Sequence, residues 1–276
     1  MALEFVLSGA LVGFVVGATG VGGGSLMTPL LTMAFGVPAQ VAVGTDLLFA
    51  SITKSNGAWT YARRGQVCWP IVLWLALGSG PAALLTLVAL HQWHPDAAQF
   101  NAALRPVLGL ALLLTASALA FQKQIRMLGA RTALGGGPAL VATENSSALT
   151  ASTNGDGSLR PIPTLTLGAV IGVLVTLTSV GAGAIGVVAL FFLYPTLPAR
   201  QLVAADIAHA VPLTLIAGLG HVALGTVHWE ILFALLIGSL PAIHLGARLA
   251  GRLPERILRS LLAAMLLFVG CRLIGF

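Results

Sequence analysis

Two short stretches decide how this chain reads: Gly17-Ala-Thr-Gly-Val-Gly-Gly-Gly24 and Thr178-Ser-Val-Gly-Ala-Gly183. Each lies inside an apolar run, 5–35 and 164–194, that is longer than the roughly 20 residues one helical crossing of a hydrocarbon core needs. Glycine in a helix interior costs about 1 kcal/mol relative to alanine, so a glycine cluster divides such a run instead of sitting within one helix. Both runs therefore read as two half-helices around a break.

Working outward, three more apolar runs follow each broken one: 39–62, 67–90 and 103–122 in the first half, then 199–222, 229–247 and 257–275 in the second. Of 276 residues, 57% are hydrophobic and 8% are charged. Soluble domains carry about a quarter charged residues, so the chain reads as an all-α polytopic membrane protein. Residues 123–163 interrupt the pattern. They are rich in Gly, Ala, Ser and Thr and read as a flexible, cytoplasmic linker between a first repeat, 1–122, and a second, 164–276.

The halves repeat at an offset of about 160. Pro38 and Ala39 match Pro198 and Ala199, Asp46 matches Asp206, and Gly65, Val67 and Trp69 match Gly225, Val227 and Trp229. Gly78, Ser79, Pro81 and Ala82 match Gly238, Ser239, Pro241 and Ala242. With a one-residue slip, Gly13, Thr19, Gly22 and Gly24 match Gly172, Thr178, Gly181 and Gly183. Shared Leu or Ala would carry little weight in so apolar a chain, whereas shared Asp, Trp, Pro and Gly carry much more. Duplicated halves are a common build for secondary transporters.

The basic residues choose between two threadings. If every run crosses once, seven basic residues (Arg63, Arg64, Lys123, Arg126, Arg131, Arg160, Arg272) face six (Arg105, Arg200, Arg248, Arg252, Arg256, Arg259). If each broken run instead dips in and returns, eleven gather on one face and only Arg105 and Arg272 remain opposite. Cytoplasmic loops concentrate Lys and Arg, which favours the second threading. It gives six crossings and two re-entrant hairpins, with both termini periplasmic and the two repeats inverted.

Net charge +6 does not point to nucleic acid, because the basic residues sit singly or in pairs at run ends. Cys68 and Cys271 have no CxxC or histidine spacing and read as buried thiols. No basic segment or cleavage site precedes the first run, so the N-terminus reads as retained. No HExxH, nucleophile-elbow GxSxG or Walker GxxxxGK[ST] motif is present, and the expectation is a protein that is not an enzyme and binds no cofactor or metal.

Half-helices beginning near Ser25 and Ala184 would present free N–H groups at membrane depth, and helix N-termini attract anions. The candidate substrate residues there are Thr19, Gly22, Gly23, Gly24, Ser25, Thr178, Ser179, Gly181 and Gly183. The same glycines can also serve only close helix packing. The second run of each half holds the buried charges: Asp46 and Lys54 with Asn56, then Asp206 with His209. An acid or base at a helix centre costs about 3 kcal/mol on insertion scales. Lys54 and Asn56 are candidate substrate ligands, and Asp46, Asp206 and His209 are candidate groups for proton or ion coupling. The plainer alternatives are that Lys54 pairs with an aspartate, that the aspartates bond neighbouring backbone, and that Asn56 bonds another helix. Trp59, Tyr61, Trp69, His221, His228, Trp229 and Glu230 stand at run ends and read as interface anchors.

The succession Gly20-Val-Gly-Gly-Gly24, Pro29-Leu-Leu31, Pro38, Ala42-Val-Gly-Thr45, Tyr61-Ala-Arg-Arg-Gly65 and Val67 resembles the TauE/SafE family of sulfite exporters. The second half looks like a degenerate copy that ends in Leu245-Gly-Ala-Arg-Leu-Ala250. The resemblance implies a secondary transporter of the bacterial inner membrane. Its substrate would be a small anion such as sulfite, a sulfonate or a related organosulfur anion, and a homodimer is compatible with it. A passive anion channel and a non-transporting membrane enzyme or partner protein are the alternatives.

Overall fold

The computed structural model describes residues 2–19, 24–93, 102–118, 159–249 and 255–274. Among these are ten helices and no strand: α1 (Ala2–Thr19), α2 (Gly24–Ala34), α3 (Ala39–Arg63), α4 (Trp69–Trp93), α5 (Ala102–Ala118), α6 (Pro161–Thr178), α7 (Ala184–Leu193), α8 (Ala199–Ala223), α9 (Trp229–Leu249) and α10 (Glu255–Ile274). Most of the segment read as a linker lies outside the described residues. Its end is corrected, because α6 begins at Pro161 and a proline suits the first helical position.

Among the described residues, four helical stretches are long and apolar enough to cross a bilayer: Trp69–Gln92, Pro161–Thr178, Arg200–Ala223 and Trp229–Gly246. The sequence suggested six crossings. Helix α3 has the length, about 38 Å for its 25 residues, but Asp46, Lys54 and Arg63 dilute its apolar character. Helix α5 is shorter, and α10 opens with Glu255, Arg256 and Arg259.

Matched residues terminate matched helices. Pro38 and Pro198 precede α3 and α8 with nearly the same backbone, φ −51° and −59°, ψ 136° and 135°. At the far ends Gly65 and Gly225 take left-handed φ values of 63° and 68°. The following N–H groups, of Gln66 and Thr226, bond back to Tyr61 and His221 at 3.1 and 3.0 Å. This is the six-to-one closure that glycine makes possible just past a helix end.

The broken runs fold back on themselves. The Phe5 ring, near the start of α1, meets Phe35, just past the end of α2, with centroids 4.6 Å apart. At the corresponding place in the second half, the Thr164 hydroxyl shares a 2.6 Å hydrogen bond with the Tyr194 hydroxyl, joining the start of α6 to the end of α7.

Each hairpin then docks on the other half. Helix α1 packs along α9, and α6 packs along α4. Gly9 and Gly13 lie on the backbone of Leu235 and Ser239, and Gly168 and Gly172 lie on that of Leu75 and Ser79. The same two contacts thus occur twice. Lipid-embedded helices gain little hydrophobic energy from associating, so close backbone approach over glycine supplies much of the adhesion. The opposite face of α1 shows Leu3, Leu7 and Leu11, each at least 60% exposed, as a helix face turned to lipid would. Between the docked pairs, α3 crosses α8: Gly44 lies against His221 and Thr226, Leu48 against Gly218, and Ile207 against Gly57. Rising numbers on one helix meet falling numbers on the other, so α3 and α8 run antiparallel.

Candidate functional site

The crossing of α3 and α8 gathers the buried charge. Asp46, Asp206 and His209 are fully buried and Lys54 is 5% exposed. Lys54 donates a 2.9 Å hydrogen bond to the carbonyl of Ala182, in the turn between α6 and α7. It lies within electrostatic reach of Asp46 and Asp206 but hydrogen-bonds neither. Its ammonium therefore keeps unused donors. The repeat position of Lys54 in the second half is Thr214, whose hydroxyl bonds the Ala210 carbonyl of its own helix at 2.8 Å. The cation is thus supplied by one half only.

Asp46 is anchored. One oxygen accepts the Thr28 hydroxyl at 2.6 Å and the Thr28 N–H at 3.2 Å, both from the first turns of α2. Carboxylates suit that end of a helix dipole. Its other oxygen, Oδ1, has no hydrogen-bond partner, and neither has the buried hydroxyl of Ser179. Thr28→Val removes a bond to a charged group, worth about 1.5–3 kcal/mol. The detergent-solubilised variant should melt several degrees lower, and Thr28→Ser should restore the wild-type value.

The second glycine turn has an unusual backbone. Ser179 sits at φ 57°, the only non-glycine residue with positive φ among the described residues, followed by Gly181 at 123° and Gly183 at 139°. A left-handed non-glycine residue stores about 1–3 kcal/mol, and such strain concentrates at functional turns. Helix α7 starts at Ala184 with no side-chain cap.

The other residues singled out in the sequence separate into groups. The Thr178 hydroxyl is engaged locally, donating toward the Leu174 carbonyl at 2.6 Å and accepting the Val180 N–H at 3.1 Å. Asn56 is exposed and bonds His244 of α9 at 3.3 Å. His209 bonds the Ser79 hydroxyl of α4 through Nε2 at 2.7 Å, while its Nδ1 is buried without a partner. Thr19 ends α1, and Gly24 and Ser25 open α2; Gly22 and Gly23 lie outside the described residues. One reading is corrected. His221 is not an interface anchor, because it is 1% exposed and bonds both the Thr226 hydroxyl at 2.8 Å and the Thr176 carbonyl at 3.0 Å.

A cavity of about 410 Å³ leads from one end of the helices to Lys54. Lys54 and Thr53 are its buried residues on α3, Val16, Ile207 and Ile243 give apolar wall, and Arg64 and Arg200 lie at its exposed rim. Three of its lining residues are cationic and none is acidic. Sequence reading missed Arg64 and Arg200 as site residues because arginines at run ends mostly mark topology. It missed Thr28 because only the fold brings α2 against α3.

Interlocked apolar helices around a buried, charge-lined centre define a polytopic membrane transport protein. The chain belongs to the sulfite exporter TauE/SafE family, whose profile matches residues 5–273. It is 34% identical over 274 residues to the probable membrane transporter protein YjnA of Bacillus subtilis, covering 99% of this chain and all of that one. It is 25% identical over 254 residues to the probable membrane transporter protein YdhB of the same organism, 91% of each chain. No solved structure matches. The protein is accordingly a membrane transporter and not an enzyme.

Proposed function

We propose that this protein is a secondary transporter that exports a small anion, sulfite or an organosulfonate, across the bacterial inner membrane. The observation that carries this reading is the cavity that ends on the buried Lys54 and has cationic but no acidic lining residues. The anion binds at Lys54, which bonds the Ala182 carbonyl beside the uncapped start of α7 and the strained Ser179 turn, and a helix N-terminus favours negative charge. Asp46, Asp206 and His209 lie around the cation and are the candidates for ion coupling.

The repeats are inverted in this reading, which is supported by the antiparallel crossing of their matched helices α3 and α8. The broken runs are re-entrant, supported by the Phe5–Phe35 and Thr164–Tyr194 contacts that return each to its starting side. Both termini then lie in the periplasm, and the cavity opens to the cytoplasm with Arg64 and Arg200. Rocking of one half against the other would expose Lys54 to the periplasm in turn.

The rim arginines should attract the anion without holding it at the midplane. The double variant Arg64→Gln/Arg200→Gln should raise the KM for anion uptake into inside-out vesicles about tenfold, which is about 1.4 kcal/mol. Its maximal rate should fall less than threefold, and added salt should weaken wild type more than the variant. Non-saturable flux in wild type would instead identify a passive channel. An unchanged KM would remove the cavity as the entry path.

A further inference from the structure

Duplication provides an internal comparison that separates the two buried aspartates. Asp46 is held by the Thr28 hydroxyl and N–H. The repeat position of Thr28 is Val187, which has no hydroxyl, and whose N–H is already bonded to the Gly183 carbonyl at 3.1 Å. Asp206 lies just as close to the first turn of its own short helix, because a side chain on Gly186 would collide with its Oδ1. Yet both Asp206 oxygens are fully buried without a hydrogen-bond partner. A buried carboxylate lacking donors is costlier as an anion than one held by a hydroxyl and an N–H.

The surroundings of Asp206 narrow what relieves it. From α3 it is reached by Lys54, which lies near Asp46 as well. On its own helix His209 follows one turn later, with Nδ1 unpartnered and Nε2 on Ser79. Helices α6 and α7 carry no titratable side chain, and α4 carries only His91, more than three turns beyond Ser79. One ammonium thus serves two carboxylates, one of them fixed. When an anion occupies Lys54, the centre holds three negative groups against one positive, and Asp206 is the member with no donor to keep it charged.

We propose that Asp206 is the proton-binding site of the transport cycle, and that its protonation and anion binding at Lys54 favour each other, so that anion and proton cross together. Asp46 is the permanent counter-charge of Lys54. This inference rests on the anion site proposed above. Linkage makes it reciprocal: protons tighten anion binding by the factor by which the anion tightens proton binding.

The test uses purified protein in liposomes and labelled methanesulfonate, whose charge does not change over the working pH range. The membrane potential is clamped with potassium and valinomycin, and a trapped pH dye reports the lumen. In wild type an acid exterior should speed uptake at least fivefold, and lumenal acidification should accompany anion entry. In Asp206→Asn, whatever exchange of labelled for unlabelled anion survives should no longer respond to the pH gradient. Asp46→Asn should retain that response in whatever transport survives. Anion entry into wild-type liposomes without acidification overturns the proposal with no variant needed. So does a gradient response that persists in Asp206→Asn, or one produced by sodium in place of protons. Absence of any wild-type flux or exchange, across the panel of sulfite and sulfonates, would mean instead that the anion-transport reading itself has failed.

Discussion

Lys54→Met is expected to lower anion flux at least a hundredfold in vesicles that contain normal amounts of protein. Methionine keeps roughly the length and apolar stem of lysine, so the change removes the charge and the bond to Ala182 with little loss of packing. Two consequences follow from the same deletion. The cavity loses the one cation at its buried end. Asp46 and Asp206 lose the positive charge they share, and breaking a buried charge pair by removing one member costs about 3–5 kcal/mol. The variant should therefore melt well below wild type in detergent. Adding Asp206→Asn should recover part of that stability, because one fewer carboxylate then needs a partner, but it should not recover flux. This contrast separates the lysine's structural contribution from its transport role. Lys54→Arg should transport below a tenth of wild type, since a planar guanidinium cannot replace a compact ammonium at a single carbonyl. Flux within twofold of wild type in Lys54→Met, assayed beside a stability measurement, would make the lysine a structural charge.

Gly13→Leu and Gly172→Leu should each destabilise the protein, and by similar amounts. A Cβ at Gly13 would stand 2.6 Å from the Ser239 carbonyl oxygen, and one at Gly172 would stand 2.5 Å from that of Ser79. Neither neighbour is a side chain that can swing aside, so α1 must separate from α9, or α6 from α4. Overpacking of this kind costs about 1–3 kcal/mol per site, and leucine's better helix propensity offsets only a fraction of that. The two sites lie in different helix pairs, so the double variant should lose about the sum. Gly80→Leu is the control, because nothing lies within 4 Å of a Cβ there and Gly80 shares α4 with the Gly172 contact. Thermal melts in detergent should rank Gly80→Leu near wild type, the two singles several degrees lower and alike, and the double variant lowest. A large difference between the singles would mean that the duplicated contacts are not energetically equivalent.

The sequence made the helical membrane fold legible because its strongest signal, apolar runs of crossing length, depends on no tertiary contact. The repeat was legible for a related reason. Asp, Trp, Pro and Gly are uncommon enough in such runs that their register stands out, and several of those glycines turn out to be the crossing points of α1 with α9 and α6 with α4. Which helix docks on which was not legible, since apolar faces of similar composition are interchangeable in sequence. The buried ionisable residues Asp46, Lys54, Asp206 and His209 were identifiable from their expense in a membrane. Their connections were not. Nothing in the sequence tells that Thr28 reaches Asp46, that Lys54 turns to the carbonyl of Ala182, or that Asp206 has no donor. His221 was misplaced for the same reason, as its partners Thr226 and Thr176 come together only when α6 packs beside α8. Arg64 and Arg200 looked like topology signals and acquire a second meaning only from the cavity between them.

The most direct measurement is anion movement by the purified protein alone. Liposomes containing it should take up labelled sulfite or a simple organosulfonate saturably, with unlabelled anion competing and empty liposomes inactive. The same preparation bearing Lys54→Met should take up none. Liposomes that hold folded, correctly inserted wild-type protein and yet move no member of the anion panel would contradict the assignment of Lys54 and its cavity to anion transport.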